Sequence, residues 1–281
     1  MNKNPSNQSN AIKEVVLFFS ITLGVCFIVL WGPLVVFQVP AISFVDQKMG
    51  PAWAVTLFFI GGFVPSLTAI GLTRFIEGAA GLRSVWKRLF QFRIGGRWYA
   101  AMIALIAFGT LSQILINYAL GHSFDWNLFL IQLPSFLPLI LIGPLSEEIG
   151  WRGYAQDRLQ TKFSPLVSGI IVGMFWSLWH LPLFFIPGTS QHELNFSFLS
   201  FMFGITSQSV LYAWLHNHTK GSIWTAVFFH WIYTFAGQVV ATGITRTDLY
   251  NWLEYTPYFL AAVVVAWMWS RESNINQRRI P

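Results

Sequence analysis

The chain has 281 residues, of which 54% are hydrophobic and only 10% are charged. Soluble domains carry about 25% charged residues, so the composition excludes an ordinary soluble protein and indicates an integral membrane protein. The net charge of +6 would suit nucleic-acid binding only if the basic residues formed one patch, and here they lie between long apolar segments. A single cysteine, Cys26, excludes an intrachain disulfide framework and a cysteine-based metal site.

Eight apolar segments follow one another along the chain, and most are long enough to cross a hydrocarbon core of about 30 Å as helices. The sequence therefore predicts an all-α integral membrane protein, a bundle of about eight transmembrane helices. The segments lie at approximately 14–38, 52–73, 98–119, 128–146, 166–186, 196–215, 222–242 and 256–270.

The polar residues between these segments predict the topology. Residues 1–12 are predicted to be a disordered cytosolic tail, 13–271 a single polytopic membrane domain and 272–281 a second cytosolic tail. With both termini cytosolic, that side holds all of the 17 lysines and arginines except Lys48 and Arg246, which is the positive-inside distribution. We expect a multi-pass protein of a bacterial plasma membrane, in contact with the lipid bilayer and not with nucleic acid.

The longest polar stretch, residues 74–97, follows the second apolar segment. Its apolar residues recur at helical spacing with basic residues between them, which predicts an amphipathic helix on the inner membrane surface. Further along, His216 and His218 are interpreted as part of a polar turn, and Glu254 as a loop residue in contact with solvent.

Two adjacent carboxylates and an arginine, Glu147, Glu148 and Arg152, stand at the end of the fourth apolar segment. Ionisable groups at a membrane boundary are costly to desolvate, so this cluster is a functional-site hypothesis. Glu148 and Arg152 are four residues apart and can pair on one helix face, which leaves Glu147 free to face another helix. We predict a Glu148–Arg152 scaffold with Glu147 as the working carboxylate; the alternative is a solvated cap formed by all three.

Two later apolar segments each contain one histidine, His180 with Trp176 one turn before it and His230 with Thr234 one turn after it. A lone histidine is more often a packing residue, but two of them near a carboxylate pair favour a catalytic site. Glu147, His180 and His230 can hold a divalent metal with an activated water. Alternatively, Glu147 acts as a general base without metal while imidazole and hydroxyl groups stabilise an oxyanion.

With these residues the chain resembles the CPBP family of intramembrane proteases, also called the CAAX-protease or abortive-infection family. The resemblance covers about residues 60–240. Three family motifs occur in the family's order: Glu-Glu-x-x-x-Arg at 147–152, Phe-x-x-x-His at 176–180, and His followed four residues later by Asn or Asp at 230–234. The chain departs from these motifs twice, with tryptophan in place of Phe at 176 and threonine in place of Asn or Asp at 234.

The resemblance implies eight helices around an intramembrane polar cavity and hydrolysis of a peptide bond in a membrane-associated protein or peptide. It implies that Glu147 is the general base and that His180 helps to hold or activate the water. His230 and Thr234 would stabilise the oxyanion or join a metal site, with Zn²⁺ as the metal. Threonine donates a hydrogen bond but is a poor metal ligand, so Thr234 favours the metal-free mechanism.

Two other functions stay open. A catalytically weakened family member acting by binding, as a membrane scaffold or immunity factor, is suggested by Thr234. A small transporter is disfavoured because the sequence has no internal repeat.

A geometric question also stays open. His180 lies about 14 residues into its segment and His230 about 8, and at a helical rise of 1.5 Å per residue the two would lie at different depths. Both can meet Glu147 only if the fifth helix begins later than residue 166 or is steeply tilted.

Overall fold

A computed structural model describes residues 5–43, 48–122, 126–241 and 246–278. Residues 1–4 and 279–281, which belong to the two predicted tails, lie outside the described residues. The described chain is helical apart from one short antiparallel pair of strands, Ile42–Ser43 and Lys48–Met49. The predicted all-α class is therefore confirmed.

Fourteen α-helices can be followed through the described residues, with π-helical turns at Val25–Leu30 and Trp151–Gln156 and 3₁₀ turns at Leu133–Ser135, Pro138–Ile140 and Leu181–Phe184. Their bounds are α1 Pro5–Gly24, α2 Trp31–Val36, α3 Ala52–Ile76, α4 Gly78–Leu89, α5 Gly96–Ala119, α6 Trp126–Gln132, α7 Pro144–Gly150, α8 Asp157–Leu159, α9 Pro165–Trp179, α10 Ser190–Glu193, α11 Phe198–His218, α12 Ile223–Ala241, α13 Asp248–Leu253 and α14 Thr256–Arg278.

Five helical segments of the described chain are long and apolar enough to cross a membrane, which is the organisation of a multi-pass membrane protein. A sixth is added if Phe129–Ser135 and Pro138–Leu159, which meet at 56°, form one bent span. The five are Ser9–Val36, Ala52–Ile76, Gly96–Ala119, Phe198–His218 and Ile223–Val240. The predicted number of eight spans is not confirmed.

Prolines explain two of the departures from eight spans. The predicted span 128–146 is interrupted because Pro134, Pro138 and Pro144 lack the backbone N–H that a continuous helix needs. The predicted span 166–186 ends early for the same reason, since Pro182 follows the C-terminus of α9, which has only 15 residues. Because α9 begins at residue 165, the proposal that this helix starts later is wrong, and His180 lies at its C-terminal end.

Close backbone contacts fix the helices that carry the predicted site residues. A Cβ on Gly150 of α7 would lie 2.6 Å from the Pro65 carbonyl oxygen of α3, and Ser66 Oγ donates to the Leu145 carbonyl at 3.1 Å. A Cβ on Gly173 of α9 would lie 2.6 Å from the Cα of Thr206 in α11. Small residues let helix backbones approach in this way in membranes, so α7 and α9 are held against fixed neighbours.

Helix α4 is amphipathic, as the sequence predicts, although it is shorter than residues 74–97. Gly81, Val85 and Leu89 are buried on one face, whereas Arg83 and Lys87 are exposed on the other. That this helix lies on the inner membrane surface stays a prediction.

Two interpretations of polar residues are wrong. His216 and His218 are in the last turn of α11, not in a polar turn, and the buried His216 contacts Asp157 at 2.8 Å. Glu254 is buried and accepts hydrogen bonds from Arg246 at 2.6 and 2.9 Å. Local sequence could not show either contact, because the partner of His216 is 59 positions away in the chain and the partner of Glu254 lies before α13, eight positions away.

Candidate active site

The two adjacent carboxylates are buried at the start of the helix that carries them. Helix α7 follows Gly143, whose N–H donates to Ser146 Oγ at 2.9 Å, and Pro144 occupies its first turn, where a missing N–H costs nothing. The exposed fraction is 5% for Glu147 and 0% for Glu148. This burial argues against the alternative of a solvated cap.

Glu148 and Arg152 pair on one helix face, as their spacing predicts. Arg152 Nη1 lies 2.9 Å from both carboxylate oxygens of Glu148, and neither side chain is exposed. The guanidinium also lies over two aromatic rings, 4.3 Å from the centroid of Trp176 and 3.9 Å from that of Tyr212. Buried charges persist when they are paired and hydrogen-bonded, and aromatic faces attract a cation, so the arginine is held from several sides.

His230 contacts the same carboxylate. Its Nδ1 lies 2.7 Å from Glu148 Oε1, although the two residues are 82 positions apart. With Glu148 ionised, Nδ1 is the donor and the second ring nitrogen, Nε2, has no part in this bond. The arrangement Arg152–Glu148–His230 therefore fixes the orientation of the imidazole. The sequence alone did not predict this contact.

The indole of Trp176 holds the other carboxylate. Trp176 Nε1 donates to Glu147 Oε2 at 2.5 Å, across the interface of α7 and α9. The sequence identified Trp176 only as the aromatic residue of a motif and missed its role as a donor. The signal was present, because tryptophan is the one aromatic side chain with an indole N–H and stands where the motif has phenylalanine.

Gly143, directly before α7, lies close to both His230 and Glu147. Its backbone φ of 93° is one that residues other than glycine rarely adopt. A Cβ built on it would lie 3.4 Å from His230 Nε2 and 3.6 Å from Glu147 Oε1. The oxygen of Glu147 that Trp176 leaves free and the ring nitrogen of His230 that Glu148 leaves free thus both lie close to Gly143. The sequence analysis did not single out this glycine.

The remaining two predicted residues lie beside this group. His180 Nδ1 donates to the Trp176 carbonyl oxygen at 2.8 Å, and its ring lies 4.6 Å from the centroid of Trp179. Thr234 is half-buried on α12, one turn after His230. Neither side chain is hydrogen-bonded to Glu147 in the part of the chain that the structure describes.

The metal hypothesis can be tested on the donor atoms. Within the described ranges, no group of three or more His, Cys, Asp and Glu side chains is arranged to hold a metal ion. One oxygen of Glu147 is also occupied by the indole of Trp176. The predicted Zn²⁺ ligands Glu147, His180 and His230 therefore do not fit a metal site in this arrangement.

Two comparisons with known proteins match part of this chain. Residues 126–236 match the family described as Rce1-like, type II CAAX prenyl endopeptidase. The chain is also 34% identical over 140 residues to a protein called CAAX prenyl protease 2 from Methanococcus maripaludis, an alignment that covers 47% of this chain and 48% of the relative. The chain thus spans about half the length of the curated relative that it matches. The matched segment 126–236 contains every predicted site residue, and in this segment the chain is similar to the CAAX protease family.

Proposed function

We propose that the protein is an intramembrane endopeptidase that hydrolyses a peptide bond in a membrane-associated protein or peptide, with Glu147 as the general base. The observation that carries this proposal is the proximity of two reactive atoms. Glu147 Oε1 and His230 Nε2 face one position, next to Gly143, and each side chain is fixed by a separate partner. A base and a hydrogen-bond donor that lie close to one point are what hydrolysis of a carbonyl requires.

The base acts through its free oxygen. Glu147 Oε1 takes a proton from water as the water oxygen attacks the scissile carbonyl carbon, and the carbonyl becomes an oxyanion. The C–N bond then breaks, and the proton held by Glu147 passes to the departing amine. Trp176 keeps the carboxylate in place during this sequence because its N–H occupies only Oε2.

The oxyanion is stabilised by His230. When the ring carries both protons, Nδ1–H stays on Glu148 and Nε2–H is the donor for the developing negative charge. The Thr234 hydroxyl, one turn later on α12, supplies a second donor. His180 assists the water from the end of α9, because its Nδ1–H is engaged by the Trp176 carbonyl and its Nε2 can accept a proton.

The substrate is proposed to be a lipid-modified peptide. The matching family and the relative are named for prenyl substrates and the CAAX sequence. A prenylated protein ends in Cys-a-a-X and is anchored to the membrane through its modified cysteine, so its scissile bond lies close to the bilayer. We propose a multi-pass protein with both termini cytosolic, which places the carboxylate end of the site near the cytosolic leaflet.

A second candidate function is supported by Thr234. This side chain stands where the family motif has Asn or Asp, and it makes no hydrogen bond with another described residue. A weaker oxyanion site would leave a protein that acts by binding, as a membrane scaffold or immunity factor. In that case the Glu147→Gln protein would rescue the defect of a strain that lacks the gene, to the same extent as the wild-type protein.

Profiling of protein termini in membranes separates the two candidates. Four membrane samples are compared. They come from cells that contain the wild-type protein, the Glu147→Gln variant, the Glu193→Gln variant as a matched control in an outer segment, or none of these proteins. Peptidase function predicts new termini in the wild-type and Glu193→Gln samples only. Identical profiles in all four samples would contradict it.

A further inference from the structure

One face of helix α11 lies against the two predicted catalytic histidines. Phe201, Gln208 and Tyr212 share this face, because they are separated by seven and then four residues of a helix. At one end of the face, the centroid of the Phe201 ring lies 5.2 Å from that of His180. At the other end, the centroid of the Tyr212 ring lies 6.2 Å from that of His230. Gln208 therefore lies between two contacts with the candidate site.

The amide of Gln208 is buried without a hydrogen-bond partner. Its side chain has no exposure, and neither Oε1 nor Nε2 is paired within the described residues. The Tyr233 hydroxyl lies close to this amide without completing a hydrogen bond, and one hydroxyl would in any case engage only one of the two amide atoms. An unpaired buried amide costs free energy, and native proteins seldom keep one without a functional reason.

The two unpaired atoms of Gln208 are complementary to a peptide group. The side-chain amide offers an acceptor oxygen and a donor nitrogen, whereas a peptide group has one N–H and one carbonyl oxygen. An anion would accept from Nε2 but offer nothing to Oε1, and a cation would do the reverse. His180 and Tyr233, which lie beside this face of α11, are partly exposed. A peptide that enters beside them reaches Gln208 next.

Resting on the proposed function, we propose that Gln208 binds one peptide group of the substrate next to the scissile bond. Nε2 donates a hydrogen bond to the carbonyl oxygen of that group, and Oε1 accepts one from its N–H. Gln208 is then a substrate-binding residue that recognises the peptide backbone, and it holds the scissile bond in place beside Glu147 and His230.

The first test replaces the amide of the full-length protein by an apolar side chain. Gln208→Leu removes two unpaired polar atoms, so its thermal unfolding temperature in detergent is expected to equal or exceed that of the wild-type protein. Its kcat/KM for a farnesylated Cys-a-a-X peptide is expected to fall by at least about 10-fold, because two hydrogen bonds to the substrate are lost.

Gln113 on α5 is the matched control, since it is also buried but its Nε2 donates to the Glu254 carbonyl oxygen at 3.3 Å. Gln113→Leu is expected to lower the unfolding temperature and to leave kcat/KM unchanged. A Gln208→Leu protein that is destabilised as much as Gln113→Leu would show that the amide of Gln208 is structural, and it would overturn the proposal. An unchanged kcat/KM for Gln208→Leu would also overturn it, as expected if the amide only holds a water molecule.

A second measurement identifies the peptide group that Gln208 binds. In the probe peptide, an ester replaces in turn the amide before the scissile bond and each of the two amides after it, which removes one N–H at a time. One of the three esters is expected to lower kcat/KM of the wild-type protein by about 5-fold or more and to have no added effect in Gln208→Leu, because the two changes remove the same interaction. Equal effects of every ester on both proteins would overturn the proposal.

Failure of this proposal is distinguishable from failure of the proposed function. Glu147→Gln is assayed in the same series. If Glu147→Gln cleaves the peptide at the wild-type rate, the proposed function fails. If Glu147→Gln is inactive and Gln208→Leu cleaves every peptide as the wild-type protein does, only the role of Gln208 is wrong.

Discussion

Two regions of the molecule share one arrangement, a carboxylate held between an arginine and a histidine. In the inner cluster, Glu148 accepts hydrogen bonds from Arg152 at 2.9 Å and from His230 at 2.7 Å. All three residues are buried. Glu147 lies beside this cluster, and its oxygen Oε1, which Trp176 does not contact, lies close to Gly143 as His230 Nε2 does.

The outer cluster consists of Asp157, Arg88 and His216, at the end of the helical segment that begins with α7. Asp157 is hydrogen-bonded to His216 at 2.8 Å and to Arg88, but its side chain is 34% exposed. The neighbouring carboxylates, Glu14 and Glu77, are both paired with Arg158.

The difference between the inner and the outer cluster shows which feature distinguishes a candidate active site from a group of paired charges. In both clusters a carboxylate is hydrogen-bonded to an arginine and a histidine, and these contacts stabilise its negative charge. Of the two clusters, only the inner one lies beside a second carboxylate that has one oxygen without a hydrogen bond, close to the same glycine as an imidazole nitrogen. We expect the outer cluster to contribute to folding and the inner cluster to contribute to chemistry as well.

The largest effect is expected from removing the arginine of each cluster. Arg152→Leu leaves Glu148 as an unpaired charge with no exposure, which costs about 3–5 kcal/mol. Arg88→Leu acts on a partly exposed pair, where the loss is about 1 kcal/mol or less. Denaturation in detergent measures both free energies of unfolding. Equal losses would mean that burial does not distinguish the clusters.

Replacing the histidines compares the chemistry of the two clusters. His230→Gln keeps a polar side chain but removes the second ring proton, so cleavage of a farnesylated Cys-a-a-X peptide should fall by at least about 100-fold. His216→Gln should leave cleavage within about threefold, because His216 contacts Asp157 and belongs to the outer cluster, which holds none of the proposed reacting groups. Initial rates of cleavage at saturating peptide concentration measure the effect of each substitution. A comparable loss for His216→Gln would remove the functional distinction.

A smaller effect is expected from the donor to the base. Trp176→Phe removes the N–H that binds Glu147 Oε2, a hydrogen bond to a charged group worth about 1.5–3 kcal/mol. We expect kcat to fall by roughly 10-fold or more while the protein stays folded. Trp214→Phe is the matched control, since the indole nitrogen of Trp214 is buried and has no partner in the described ranges. Equal rates for the two variants would show that the Trp176 bond does not position the base.

The smallest effect is expected from chelation. Because Glu147, His180 and His230 do not form a ligand set among the described residues, dialysis against EDTA should leave the rate of peptide cleavage unchanged. A loss of activity that Zn²⁺ restores would contradict the metal-free account.

Local patterns in the sequence predicted the features that depend on spacing within one helix. The Glu148–Arg152 pair follows from a separation of four residues, and the helical class follows from the apolar segments. The number of spans did not follow, because prolines shorten or bend two of the predicted helices. Apolar length alone does not show where a helix inside a membrane protein ends.

Contacts between helices were beyond what one sequence could predict. The bond from Trp176 to Glu147 joins residues 29 positions apart, and that from His230 to Glu148 joins residues 82 positions apart. Both depend on how α7, α9 and α12 pack. The closeness of Gly143 to both Glu147 and His230 depends on the same packing.

The most direct test of the account is the cleavage rate of purified Glu147→Gln on a farnesylated Cys-a-a-X peptide, measured beside the wild-type protein. Glutamine preserves the shape of the side chain and can still accept the Trp176 hydrogen bond, but it cannot take a proton from water. The account predicts a fall of about 100-fold or more, within the range for loss of a general base, with no loss of folding. Cleavage by Glu147→Gln at the wild-type rate would contradict the account.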